Sequence, residues 1–354
     1  MALSADSMRC GEFRTTYKAD TTIFPTPRSR NFALAGLLML LVTPFIFESY
    51  IISLLIQIGY YSIAALGLNI LVGSTGQISI GHGAFFGVGA FGSAWLNNSL
   101  GIPVILAIPL AGGMAAAVGL VAGIPALRIK GLYLAIATLA AQFILEDMFS
   151  RAVWFTGGPA GSMASELSIF GYNFNSDQSY FYIVLLFLVV MFLAGTNMLR
   201  SRDGRAFVAV RDHYLSAEIM GINLAKYRVL SFGVAAFYAG IGGALFAHYL
   251  GYVSSESFTL MLSIQLLGMI IIGGLGSVMG TLLGVTFMVL LPEVMDGVVA
   301  VVGDVLPSLV QGSAYLKQMA IGLAIVLFLI FEPDGLAHRW KQIKAYWKLY
   351  PFSY

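Results

Sequence analysis

The chain has 354 residues, of which 58% are hydrophobic and 10% charged, with 40 glycines and a mean hydropathy of +0.86. Such values lie outside the range of soluble globular domains and identify an all-α, polytopic integral membrane protein, in which glycine lets helices approach where lipid supplies no drive for them to meet. A net charge of +2, with no basic run long enough to follow a phosphate backbone, argues against nucleic acid as a partner.

Residues 1–31 read as a cytoplasmic tail. They hold five basic residues and Cys10, and lack the apolar core of roughly 7 to 15 residues that a cleavable signal peptide needs, so the first membrane helix is expected to serve as the targeting signal. One cysteine excludes an intramolecular disulfide. Crossing the hydrocarbon core takes about 20 helical residues. That length divides the expected permease domain, 32–333, into about ten spans: 32–47, 51–73, 84–98, 102–124, 131–148, 179–199, 229–250, 259–275, 278–293 and 317–332. The third is the weakest. Ser74–Gly83, STGQISIGHG, is too polar and glycine-rich for lipid-facing helix, and reads either as a tight cytoplasmic turn or as a broken, re-entrant segment buried in protein.

Lysine and arginine collect on the cytoplasmic side of membrane proteins. Here seventeen of the 19 lie in residues 1–31, at Arg128 and Lys130, between Arg200 and Arg228, and in a basic tail, 334–354. Ten spans with both termini cytoplasmic place all four groups on one side and leave only Arg151 and Lys317 outside. Two longer external segments result, Phe149–Gln178 and Val294–Leu316, the second with Asp296, Asp304 and Pro307 along the outer interface. In the tail, Leu336, Trp340, Ile343, Trp347 and Tyr350 recur at helical spacing among basic residues, which suits either an amphipathic helix on the inner leaflet or a plain positive-inside anchor.

Few motifs carry chemistry. Gly87-Val88-Gly89-Ala90-Phe91-Gly92 matches the G-x-G-x-x-G dinucleotide fingerprint, but it lies inside an apolar span where that motif requires a preceding strand. No Walker A loop occurs, so ATP, if used, must be bound by another subunit. The four histidines are scattered and there is neither a zinc motif nor a nucleophile elbow, so no catalytic or metal-ligating residue is assigned. Glu48, Glu146, Asp147, Glu293 and Glu332 fall at span ends, which argues against an ion-coupled carrier with carboxylates at the midplane.

What the interior does hold is neutral and polar: Gln77 and His82 in the glycine-rich break, and Gln142, Ser263 and Gln265 within spans. These either line a translocation path for a zwitterion or join helices by hydrogen bonds. Gly273, Gly274, Gly276, Gly280 and Gly284 form a ladder across the eighth and ninth spans, for close packing or for a hinge. Between two long apolar runs, Gly204–Arg228 gathers Arg205, Arg211, Asp212, His213, Glu218, Lys226 and Arg228, and is the largest hydrophilic interruption inside the chain.

In the order in which they occur, several strings resemble the permease subunits of branched-chain amino acid ABC importers. They are Gly67-Leu68-Asn69-Ile70-Leu71-Val72-Gly73 running into Gly76-Gln77-Ile78-Ser79-Ile80-Gly81-His82-Gly83-Ala84-Phe85-Phe86, then Gly131 to Leu139, Thr156 to Gly161, and Ile272 to Ser277 with Gly280. The resemblance covers about 60–335 and points to the larger, M-type subunit. It implies a paralogous permease partner, two cytoplasmic ATPase subunits that bind ATP and Mg²⁺, and a periplasmic binding protein, in the bacterial inner membrane. Related permeases serve branched-chain or other amino acids, urea or small organic acids, and a secondary carrier remains the rival reading.

The same resemblance makes 204–228 the ATPase-coupling segment, with Arg211, Asp212, His213, Glu218 and Gly221 as its candidate contacts. Physically, Asp212 is placed to N-cap a helix over His213–Met220 that Gly221 ends in a left-handed conformation. Leu215-Ser216-Ala217 departs from the coupling-loop consensus by keeping only one alanine of its pair.

Overall fold

A computed structural model describes residues 22, 27–169, 172–302 and 312–349. Among them are fourteen α-helices: α1 (Pro27–Ile46), α2 (Ser49–Asn69, prolonged by a π-helical turn, Ile70–Ser74), α3 (His82–Leu100), α4 (Val104–Ala122), α5 (Leu132–Arg151), α6 (Val153–Thr156), α7 (Asp177–Arg200), α8 (Arg202–Asp212), α9 (Tyr214–Ile219), α10 (Leu224–Leu250), α11 (Leu260–Gly273), α12 (Val278–Val302), α13 (Ser313–Phe331) and α14 (Gly335–Leu349). Two short antiparallel ribbons, Ser162–Met163 with Tyr252–Val253 and Ser168–Ile169 with Tyr172–Asn173, complete an all-α membrane fold.

Seven of these helices are long and apolar enough to cross a membrane: α2 with its π turn, α4, α5, α7, α10, α12 and α13. Arg30–Ile46 and α11 are apolar but shorter, so length and composition do not establish the expected count of ten. The third expected span corresponds to α3, which is not among the seven. Its side chains are buried from His82 to Ala94, so neighbouring helices shield it and it needs little hydropathy of its own.

The centre of the bundle is α10, packed on α2, α3 and α4. Glycine makes this crossing feasible. A Cβ on Gly240 would lie 2.6 Å from Ala115 Cβ and 2.9 Å from Gly112 Cα, inside van der Waals contact. On α3, a Cβ at Gly87 would lie 2.6 Å from the Phe149 ring, so the G-x-G-x-x-G string packs helix against helix. Around it Phe86, Phe91, Phe149, Phe246 and Phe258 pack ring against ring, with centroids 5.2–6.1 Å apart.

One boundary needs correction. The ninth span was expected to end at 293, yet α12 runs through Pro292 to Val302, because Val294, Val298, Val299 and Val301 carry its apolar character onward. Glu293 therefore sits within a helix, where it accepts a hydrogen bond from Tyr50 Oη. Asp296 pairs with Lys317 at 2.6 Å, while Asp304 and Pro307 lie outside the described residues.

Candidate functional site

Between the π turn and α3 the chain leaves the helix for residues 75–81, and burial alternates along it: Thr75, Gln77, Ser79 and His82 are buried while Gly76 and Ile78 are exposed. Its buried non-helical backbone has to find partners inside the protein. Thr138 Oγ1 accepts from Ile80 N at 3.0 Å. The first turn of α3 is capped from two other helices, where Ser263 Oγ accepts from Gly83 N and Gln142 Oε1 accepts from Ala84 N, each at 2.8 Å. Ser263 Oγ also donates to Gln142 Oε1 at 3.0 Å, and Gln142 Nε2 donates to Phe258 O at 2.8 Å. From there α3 runs to the far end of the bundle, where Asn98 Nδ2 donates to Met163 O. The structure joins the π turn to α3 through a turn whose buried and exposed residues alternate.

The structure thus brings Gln142 and Ser263 together and keeps the other candidate path residues apart from that pair. Gln77 Nε2 donates to Ser231 Oγ at 2.7 Å and to Thr75 Oγ1 at 2.9 Å, and His82 Nε2 donates to Ala64 O at 3.0 Å. Gln265 stands half-buried on α11. Gln77 Oε1, Ser79 Oγ, His82 Nδ1 and Ser62 Oγ are buried polar atoms with no hydrogen-bond partner among the described residues.

At one end of the bundle lies the polar segment. α8 rests on α10 through buried Phe207, whose ring meets Tyr227 edge-on at 5.9 Å, and through Tyr227 Oη donating to Asp203 at 3.1 Å. α9 ends as its sequence demands. Gly221 has φ +83, its N–H donates to Glu218 O at 2.9 Å, and Ile222 N donates to Ala217 O at 3.0 Å, a Schellman stop. Its start differs from expectation. Asp212 is the last residue of α8, with its carboxylate 2.8 Å from Arg211, and His213 occupies the N-cap with Nδ1 3.1 Å from Ser216 Oγ. An ion pair with the adjacent guanidinium holds the carboxylate away from the α9 amides. Tyr214 anchors the helix, its ring 3.6 Å from Lys130 Nζ and 5.9 Å from Arg228 Cζ. Only Ala217 of α9 is buried, while Glu218 and the apolar Leu215, Ile219 and Met220 are 51%, 87% and 82% exposed for the last three.

The glycine ladder meets this segment. Gly274 and Gly276 take φ +109 and +76 in the turn between α11 and α12. A Cβ at Gly284 would lie 2.6 Å from Gly273 N, and one at Gly280 would lie 2.8 Å from Ala337 Cβ, so these positions serve backbone-close packing of α11, α12 and α14. Arg211 Nη1 donates to Gly73 O at 2.7 Å, and a Cβ on Gly276 would lie 3.3 Å from that same oxygen. Lys130, Arg211, Arg228 and the start of α14 are therefore linked through shared contacts at one end of the bundle. On α14, Leu336 is half-buried and Ala337 buried, while Trp340, Ile343 and Tyr346 are exposed; the side chain of Trp347 and all of Tyr350 lie outside the described residues.

A family model described as branched-chain amino acid transport system / permease component matches residues 50–329. The chain belongs to this family. It is 32% identical, over 88% of its own length and 75% of the relative's, to the high-affinity branched-chain amino acid transport system permease protein LivM of Escherichia coli (strain K12). With the probable branched-chain amino acid transport permease protein LivM of Methanocaldococcus jannaschii it shares 25% identity over 81% of this chain and 89% of the other, and with LivH of Escherichia coli (strain K12) 23% over 79% and 91%. Higher identity to LivM than to LivH agrees with an M-type permease. No solved structure matches the chain significantly.

Within this permease, two buried groups escape a reading of the sequence alone. Asn69 Oδ1 accepts from Gly276 N at 2.7 Å, and its Nδ2 donates to Thr281 Oγ1 at 2.6 Å and to Ser277 O at 3.0 Å. Its signal was an amide inside an apolar span, a costly placement that calls for a partner. His248 is held between Ser93 Oγ and Ser165 O, both at 2.7 Å, toward the opposite end.

Proposed function

We propose that this permease is the M-type pore subunit of an ABC importer that carries branched-chain amino acids across the bacterial inner membrane. A paralogous permease completes the pore, two cytoplasmic ATPase subunits bind ATP and Mg²⁺, and a periplasmic protein delivers the substrate. Both termini are cytoplasmic. The observation that carries this reading is α9. It is a short helix outside the spans, capped at its C-terminus by Gly221 and anchored through Tyr214, yet it leaves Leu215, Ile219 and Met220 uncovered beside Arg211, Asp212, His213 and Glu218. A rigid mixed apolar and charged knob on the basic face of a membrane bundle suits a cleft in a soluble subunit.

ATP binding closes the ATPases on two such helices and moves the bundle from one facing to the other. That requires only that the ATPases bind the two states with different affinity. Gln77, His82, Gln142, Ser263 and Gln265 are the candidates for the substrate's route: in this conformation Gln142 and Ser263 bond to each other and to the start of α3, and the change of facing is what would offer such groups, without a fixed charge to trap it, to a zwitterion. The glycines of the α11–α12 turn are the hinge.

The test is reconstitution. Leucine uptake into proteoliposomes is expected only with ATP and the ATPase subunits, and Gly221→Pro or joint charge reversal at Arg211 and Asp212 is expected to abolish uptake with membrane insertion intact. Normal uptake by those variants at equal expression would remove the coupling role of α9. Uptake without any ATPase, collapsing with a proton gradient, would establish a secondary carrier instead.

A further inference from the structure

Movement at α9 has to reach the pore through atoms, and one hydrogen-bonded path leads from its exposed base to buried Asn69 and Thr281. Arg211, the penultimate residue of α8, donates from Nη1 to Gly73 O at 2.7 Å. Gly73 belongs to the π turn Ile70–Ser74 that ends α2. One turn earlier in that helix, Asn69 grips the α11–α12 turn with both ends of its amide: Oδ1 takes Gly276 N at 2.7 Å, and Nδ2 reaches Thr281 Oγ1 at 2.6 Å and Ser277 O at 3.0 Å. Asn69 is 4% exposed and Thr281 fully buried.

Two features make this joint suited to transmit motion as well as to hold helices. A π turn is a local irregularity in the hydrogen-bond ladder, found often at functional positions. The turn it grips contains Gly274 and Gly276 in left-handed conformations, packed without side chains against Gly73 and Gly335. A void of about 10 Å³ beside Asn69, lined by Leu66, Ile70, Ser74, Gly276 and Val278, leaves slack for at most about one water.

We propose that Asn69 and Thr281 are positioning residues that carry displacement of the coupling segment to the α11–α12 turn. This rests on the reading of α8–α9 as the ATPase dock. When Arg211 shifts, it draws the Gly73 carbonyl and the π turn with it. Asn69 passes that shift to Gly276 and Thr281, so that α11 and α12 move with α2.

The test uses the complex assembled with its partner permease, ATPases and binding protein, in a Cys10→Ser background. A spin label is placed at Leu275→Cys, an exposed position of the turn. ATP is expected to change the label's mobility in the otherwise unaltered complex and in Thr281→Ser, which keeps the hydroxyl. The change is expected to be lost in Thr281→Val, which removes only the hydroxyl, and in Asn69→Ala. In parallel, leucine uptake per ATP hydrolysed should fall tenfold or more in Thr281→Val and Asn69→Ala and stay within twofold in Thr281→Ser.

No response of the label to ATP in the unaltered complex, or an undiminished response in Thr281→Val, overturns the proposal. So does a fall of uptake and hydrolysis in strict proportion, the signature of a merely structural role. Should Asn69→Ala not assemble, Thr281→Val decides alone. A complex that takes up no leucine but whose label responds as expected refutes the substrate assignment and leaves the relay standing.

Discussion

Replacing Gln142 by methionine keeps the side chain's length and removes both its polar atoms. Gln142 is fully buried and bonds three ways, to Ala84 N, Ser263 Oγ and Phe258 O. In the variant Ser263 keeps its bond to Gly83 N, but Ala84 N–H and Phe258 O lose their side-chain partner at a buried position. An unmet buried group costs about 1–3 kcal/mol. Hydrogen bonds between membrane helices average nearer ~0.6 kcal/mol, because partners released in lipid find substitutes. Among the described residues no other side chain bonds either atom, so the larger figure governs for both and Gln142→Met should lose about 2–6 kcal/mol. Equilibrium unfolding in mixed detergent micelles, followed by circular dichroism, measures this directly. Adding Ser263→Ala should then cost clearly less than it does alone, since the pair acts as one network. A stability within about 0.5 kcal/mol of the original, where neutral surface changes fall, would refute the account of the α3 cap.

Three further outcomes follow from the same geometry. Gly240→Ala should cost about 1–3 kcal/mol by overpacking against Ala115 and Gly112, despite a gain in helix propensity of ~1 kcal/mol; a stabilised variant in the same unfolding experiment would contradict the close crossing of α4 and α10. At Gly221 there is open space but a positive φ, so Gly221→Ala should weaken the α9 stop by ~1 kcal/mol and raise hydrogen exchange over 214–219 several-fold, with Gly221→Asn intermediate. Asp212→Ala removes an exposed ion pair worth about 0–1 kcal/mol together with any side-chain oxygen able to cap a helix, so exchange over 214–219 should stay unchanged; a marked increase would restore Asp212 as the cap of α9.

The spans were legible because apolar runs of membrane length have few other uses. Gly221 was legible for a similar reason, since a glycine after a short amphipathic run has one common backbone role. The start of α9 was not. Asp212 had the right side chain at the right distance, but Arg211 beside it offers a full charge where the helix end offers amides. Gln142 and Ser263 stood out as polar residues in lipid-like sequence, yet nothing local said that they meet each other at the start of α3. Asn69 is the clearest miss: a bond between Asn69 and Gly276 crosses 207 positions of sequence.

What the sequence determined by itself is everything that follows from each segment's own free energy of transfer. It places the chain in the membrane, marks the long apolar helices and puts a stop at Gly221. Family membership rests on the same linear record. The tertiary structure decided the fate of polar and small residues, because a buried hydrogen bond or a glycine contact is a property of two segments and depends on which helix lies opposite. It shielded α3 inside the bundle, so that a helix of modest hydropathy runs from end to end of it. It tied the end of the 75–81 break to α5 and α11 by hydrogen bonds at the start of α3, and it set Arg211, Gly73, Asn69 and Gly276 in a single hydrogen-bonded row.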